Sequence, residues 1–226
     1  DHDDGPEYET VAGMGPLLMI DDLEAIAHLN EVCNKYGLDT ISTSVSIGFA
    51  LHLFDDGIID EDDVGFSLEW GNPEIVEKLI DMLVEQKGFG KILSLGVREM
   101  GKKYDAEDEA AHVKGLEMPM HDPRAFHSMA VTYATSPRGA CHTRGDSLLV
   151  HLGSGEDEIG VESIDRFEKE GAGELAAKWQ DFREIYNMAL ICEFASPGIE
   201  MIRDLINFST GMEYSVDDLM KVGERS

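Results

Sequence analysis

The sequence predicts an all-α fold of two helical domains, the first over residues 1–112 and the second over residues 113–226. Three observations carry that reading. Apolar residues recur at three-and-four spacing through most of the chain, as one face of a helix requires. Glycine, proline and Asn/Asp stand where helices start and stop. Little of the chain alternates apolar and polar residues as a half-buried strand does, and no internal repeat is visible.

Composition narrows the function classes. Acidic residues outnumber basic ones 46 to 18, for a formal charge of -28. Such a surface repels phosphates and anionic lipid, so nucleic acid and membranes are excluded as partners. The acids are spread along the chain, which predicts an acid-coated folded surface that needs salt to stay folded. No stretch reaches the roughly 18 apolar residues of a spanning helix, and no signal peptide is visible. Three cysteines make no disulfide framework and fit a reducing, cytoplasmic setting. The chain begins at Asp1 and is expected to be a piece of something longer.

Residues 1–10 (DHDDGPEYET) read as an acidic extended entry in which Glu7 and Glu9 point to the same side. Gly13, Gly15 and Pro16 should break any regular element after it. Asp21 and Asp22 then open a helix whose Leu23, Ile26, Ala27, Asn30 and Cys33 keep helical spacing, and Gly37 stops it. Residues 41–47 are strand-like by propensity but run into residues 48–54, which read as a buried helix. A surface loop anchored by Trp70 follows, then Asn72-Pro73 starts an amphipathic helix to Gln86.

Another helix is expected from Ile92 to Lys103, and residues 104–111, polar and aperiodic, form the expected domain junction. Residues 121–144 place an apolar run between two Pro-Arg turns and end on Gly139, Cys141 and His142. By residue pattern alone this is a helix capped by a loop; a polar site held on a rigid edge is the competing reading. Residues 147–170 should form long mobile loops. A helix is expected from Gly173 to Ala195 with Pro197 ending it, then one from Ile199 to Phe208, and a last one opened by Ser215 and Asp218 as a capping box.

Five segments in order carry a resemblance: Gly5-Pro-Glu-Tyr-Glu-Thr10, Ile20-Asp-Asp-Leu-Glu-Ala-Ile26, Tyr36-Gly-Leu-Asp-Thr-Ile-Ser42, Tyr133-Ala-Thr-Ser-Pro-Arg-Gly-Ala-Cys-His142 and Cys192-Glu-Phe194. Together the series resembles the tungsten-containing aldehyde:ferredoxin oxidoreductases, over almost the whole chain. The resemblance implies the family's second and third domains, without the β-rich first domain that would complete the enzyme. It implies a tungsten bis-pterin (molybdopterin) cofactor and a 4Fe-4S cluster in the full-length protein, and oxidation of aldehydes to carboxylic acids with ferredoxin as electron acceptor.

The family's pterin loops have the form Asp-x-x-Gly-Leu-Asp/Cys. The first resembles residues 34–39, so Asn34, Gly37, Leu38 and Asp39 are the implied contacts, with Asn34 where Asp is usual. The second resembles residues 187–192. There Asn187 replaces Asp, Leu190 replaces Gly and Ile191 replaces Leu, which puts close backbone approach in doubt. Cys192 stands at the family's fourth cluster ligand; taken alone it reads as a buried helix cysteine.

The resemblance also implies that His142 and one of Glu9 or Glu7 are catalytic, Glu9 being preferred. Arg138 would hold cofactor oxygens, while Arg124 pairs with acids. His28, with Asn30 and Glu31, could join an interface metal at a homodimer axis, a plain surface histidine being the commoner role. Two other readings stand: the tungsten subunit of an aromatic-CoA reductase, and a cofactor-free helical binding or assembly module. The isolated chain is expected to bind no cofactor and to be inactive.

Overall fold

The computed structural model describes residues 5–226, and the chain divides into two units, Asp1–Met120 and His121–Ser226. Both are helical, as the periodicity predicts. Among the described residues the sole sheet is a pair of two-residue strands, β1 (His112–Val113) and β2 (Leu116–Glu117). No helix of the described residues is long and apolar enough to cross a membrane.

In the first unit, α1 (Tyr8–Met14) replaces the extended entry expected there. Residues 1–4 of that expectation lie outside the described residues. Glu7 is the N-cap of α1 and Glu9 its first turn, so the two carboxylates do not share a side: Glu7 is exposed and Glu9 buried. Gly13 does not break the element. It sits inside α1 because a Cβ there would lie 2.4 Å from the Ser44 hydroxyl, so only glycine lets α1 settle on its neighbour.

That neighbour is α3 (Thr40–Asp55), one continuous helix through the strand-like residues 41–47. Its Ile47, Ala50 and Leu53 are fully enclosed, and buried Thr43, Ser44 and Ser46 share the other sides. Burial on nearly every side overrides the β-branched preference of the sequence. Asp39 caps α3 by accepting from the Ser42 N–H at 2.7 Å.

Helices α2 (Leu23–Tyr36) and α5 (Pro73–Glu85) pack together, each opened by the cap its sequence announces. Asp22 accepts from Glu24 and Ala25, and Asn72 from Glu74 and Ile75. The expected surface loop contains the short α4 (Glu61–Val64), opened by an Asp60/Asp63 capping box.

The single helix expected over residues 92–103 is two, α6 (Gly90–Leu93) and α7 (Gly96–Lys103), because Gly96 adopts φ +78°. At Gly96 a Cβ would meet the buried Glu117 carboxylate at 2.5 Å. Glu117 accepts from the Val97 N–H at 3.0 Å, capping α7 from β2. The junction expected at residues 112/113 therefore falls inside β1, on a hairpin fastened to the first unit.

In the second unit, α10 (Ala172–Ala189) packs against α8 (His127–Thr135) and α12 (Val216–Arg225). Trp179, Phe182 and Tyr186 stack edge-to-face along it, centroids 5.2 and 5.3 Å apart. Arg183 lies among them at 2% exposure, forked onto Asp146 at 2.5 and 2.8 Å, and the Trp179 Nε1–H donates to the same carboxylate at 2.9 Å. Gly223 of α12 comes so close to α10 that a Cβ would overlap the Asp181 carbonyl.

The expected loops over residues 147–170 include the short α9 (Leu148–His151), a 3-10 turn at Asp157–Ile159 and a Glu156–Val161 bridge. α10 stops at Ala189, six residues before the expected end, although the sequence stays apolar. Next come α11 (Ile199–Thr210) and α12, the latter opened by the Ser215/Asp218 capping box.

Candidate functional site

Two chain reversals carry most of the implied cofactor contacts, one in each unit. In the first, α2 ends with Gly37 in the left-handed region at φ +69°. The Gly37 N–H donates to the Asn34 carbonyl at 3.2 Å and the Leu38 N–H to the Cys33 carbonyl at 2.9 Å. This is a Schellman closure, which satisfies two orphan helix carbonyls. Leu38 tucks against the core and Asp39 caps α3. Asn34, Tyr36 and Asp39 remain exposed.

In the second, α10 ends with Leu190 at φ +57°. The Leu190 N–H donates to the Asn187 carbonyl at 3.3 Å and the Ile191 N–H to the Tyr186 carbonyl at 3.0 Å. Ile191 packs on the unit's core and Cys192 opens the next element, a 3-10 turn at Glu193–Ala195. The backbone thus takes the glycine conformation with leucine in place. α5 closes in the same way at Gln86. The two reversals differ from it in delivering Asp39 and Cys192, respectively, as the N-cap of a new element.

Leucine is tolerated at that position because its side chain goes outward, 92% exposed. Met188 and Phe194 are also exposed, at 42% and 82%. Cys192 is exposed, contrary to the buried helix cysteine its flanking residues suggest, because α10 has already ended. The Asn187 amide NH2 donates to the Arg183 carbonyl at 3.2 Å, which fixes the side chain along its own helix. Beside Cys192, burial and then the Asp146 charge push the Glu193 carboxyl up to about 7, against the lowering effects of Arg183 and Arg144.

The cysteine at the first reversal behaves oppositely. Cys33 is fully enclosed, and burial followed by the Asp39 charge pushes its thiol up to about 11.

Residues 121–144 fold as α8 followed by a turn, and the turn is clamped to α10. Arg144 donates to the Glu184 carboxylate at 2.8 Å. Gly145, at φ +153°, approaches Gln180 so closely that a Cβ would lie 2.6 Å from its side chain. His142 begins the 3-10 turn His142–Arg144 and is half-buried, and Cys141 contacts the Thr143 hydroxyl at 3.2 Å. Arg138 is exposed on the approach to that turn. Arg124 is forked onto Asp122 and holds that carboxyl below its usual range.

The histidine that pattern reading passes over is His121. Its ring lies 5.4 Å from that of His142, tilted by 30°. Its carbonyl accepts from the buried Tyr133 hydroxyl at 2.8 Å, so α8 holds the start of the stretch. The available signal was Tyr133 itself, a polar aromatic on the buried side of α8.

In the first unit the Glu9 carboxylate accepts from the Met120 N–H at 2.7 Å, and the Tyr8 hydroxyl donates to the Met120 carbonyl at 3.3 Å. His28 pairs with Glu77 of α5 at 3.0 Å, not with Glu31.

Three comparisons bear on this chain. A family model described as aldehyde ferredoxin oxidoreductase, domains 2 & 3, matches residues 1–226. Tungsten-containing aldehyde ferredoxin oxidoreductases of Pyrococcus furiosus and Thermococcus kodakarensis are each 30% identical over 226 residues, 98% of this chain and 37% of theirs. An aliphatic sulfonate oxidoreductase, WOR-like subunit, of Pyrococcus furiosus is 32% identical over 98% of this chain and 33% of its own. The chain thus spans about a third of the length of the curated relatives it matches. Among solved structures, the active site complex BamBC of benzoyl coenzyme A reductase, in complex with 1,5-dienoyl-CoA, superposes with a TM-score of 0.74 at 18% identity. It covers 97% of this chain and 39% of that one, a likeness of fold.

Proposed function

This chain belongs to the aldehyde ferredoxin oxidoreductase family, as its domains 2 and 3, and from that premise we propose that the full-length protein oxidises aldehydes to carboxylic acids. The balanced reaction takes an aldehyde and water to a carboxylic acid, two protons and two electrons. The electrons pass to ferredoxin. Bound tungsten bis-pterin would supply the two-electron acceptor, and a 4Fe-4S cluster the exit route.

The observation that carries this reading is the retained backbone of the second reversal. Where a cofactor loop needs glycine geometry, Leu190 adopts it at φ +57° and presents the Cys192 thiol outward. The residues therefore fit the implied groups. Asn34, Gly37, Leu38 and Asp39 would hold one pterin, and Asn187, Leu190 and Ile191 the other, with Arg138 on their anionic oxygens. Asparagine accepts a hydrogen bond as aspartate does but without the added strength of charge. The exposed Cys192 thiol would complete the cluster's ligand set, the other cysteines lying elsewhere in the full-length protein.

Glu9 would take the proton from water, and its burial favours it over the exposed Glu7. His142 would donate a hydrogen bond to the aldehyde oxygen as charge develops there. The clamp of Arg144 on Glu184 supports that role by fixing the turn. The setting we propose is cytoplasmic, and the isolated chain is proposed to be cofactor-free and inactive.

The aromatic-CoA reductase reading draws on the two asparagine substitutions, and one experiment separates it. Full-length protein purified anaerobically should contain tungsten and iron and reduce ferredoxin with simple aldehydes. Metal content with turnover of an aromatic thioester alone would favour the second reading. Absence of tungsten, molybdenum and iron would overturn both in favour of a helical assembly module.

A further inference from the structure

The first unit holds a cluster that none of the implied chemistry uses. His52 and Asp56 are one turn apart at the C-terminal end of α3, and Glu109 closes the 3-10 turn Glu107–Glu109. His52 Nε2 stands 2.5 Å from Glu109 Oε2 and 3.7 Å from Asp56 Oδ2. One ligand atom from each of the three fits within a span of 4.8 Å.

The donor count is short. A histidine Nε2 offers at most one hydrogen, and an ionised carboxylate offers none. That one hydrogen can bond Glu109 Oε2, which leaves the Asp56 carboxylate, 3.7 Å away, with no donor from within the cluster. Among the described residues, neither carboxylate makes an ion pair with a lysine or arginine. The cluster lies at the C-terminal end of α3, the end of a helix at which a cation is favoured.

The scaffold is stiff on both sides. α3 is enclosed along most of its length, which fixes His52 and Asp56 relative to each other. The turn carrying Glu109 is seated on α7 through Gly101, where a Cβ would lie 3.1–3.2 Å from atoms of Ala106, Glu107 and Ala110. The side chains themselves are about half exposed, at 43%, 52% and 42%, so an ion has access and water can fill its remaining positions.

We infer that His52, Asp56 and Glu109 form a binding site for one Zn2+ ion, which ties the end of α3 to the 107–109 turn. One imidazole and two carboxylates match a borderline ion, whereas Mg2+ and Ca2+ prefer oxygen alone. The inference is independent of the oxidoreductase reading.

Calorimetric titration of ZnCl2 into the 226-residue chain tests it, in a Cys192→Ser background that removes the exposed thiol. The background protein should bind one more equivalent than its His52→Ala variant, and Zn2+ should raise its melting temperature further. Glu109→Gln should weaken that equivalent by more than about tenfold, the least that loss of even a supporting residue costs a metal site. Glu74→Gln, at an exposed carboxylate outside the cluster, should leave it unchanged. Equal stoichiometry and affinity in the background protein and in both Glu109→Gln and His52→Ala would overturn the site. Should His52→Ala fail to fold, the Glu109→Gln comparison alone decides, since that side chain is exposed and its change conserves shape.

Discussion

The reversals at residues 34–39 and 187–192 share one backbone and almost nothing else. Both end a long helix with the same pair of hydrogen bonds and one left-handed residue. Gly37 meets that requirement without steric cost, whereas Leu190 meets it against its intrinsic preference. The first delivers a carboxylate that caps α3, and its cysteine is sealed in the core. The second delivers an exposed thiol flanked by exposed apolar side chains. The difference teaches that a loop's shape is set by how its parent helix closes, while its chemistry is set by the residue that follows.

The foundations of the two reversals also differ, and the largest expected effect breaks the second alone. Asp146→Ala leaves the Arg183 guanidinium buried without its partner beneath α10, which should cost about 3–5 kcal/mol. Urea unfolding followed by Trp179 fluorescence in a Trp70→Phe background should shift to lower denaturant; an unchanged midpoint would mean that the pair does not anchor α10. At the first reversal Asp39→Ala removes a helix cap and should cost about 1 kcal/mol, read by the same titration with circular dichroism.

Exchanging the left-handed residues sharpens the comparison further. Leu190→Gly should stabilise by about 1 kcal/mol, because it relieves the backbone and gives up little buried surface. Gly37→Leu should destabilise by a similar amount. If both swaps lower stability, the Leu190 side chain makes a contribution that its exposure does not suggest.

The two cysteines give the last contrast, in rate alone. At pH 8 the Cys33 thiol, pushed up to about 11, is almost entirely protonated, and only the thiolate reacts. Alkylation followed by peptide mass mapping should label Cys192 in the folded chain and Cys33 only on unfolding. Raising the pH toward 11 increases the Cys33 thiolate, but enclosure still keeps reagent out.

What the sequence reveals follows the range of each signal. The caps at Asp22, Asn72 and Ser215 were legible because cap and helix lie within three residues of each other. The helical state of residues 41–47 was not, because it depends on α1 and α7 enclosing α3 from distant parts of the chain. The end of α10 was obscured by apolar residues that continue past Ala189 into the reversal. Two-residue strands are too short to show any alternation at all. The roles proposed for His142 and the two reversals came from the resemblance, not from pattern. His121 was missed because its packing against His142 joins residues 21 positions apart, and nothing local announces it.

Tyr186 has a consequence beyond its place in the aromatic stack. Its carbonyl receives the Ile191 N–H and its hydroxyl donates to the Pro197 carbonyl, so one residue fastens the chain at both ends of the segment between. Residues 192–196 are thereby a cassette with a single hasp. Evolution can rewrite such a segment without redesigning the domain beneath it, and so can an engineer who transplants a relative's version between the same two anchor points.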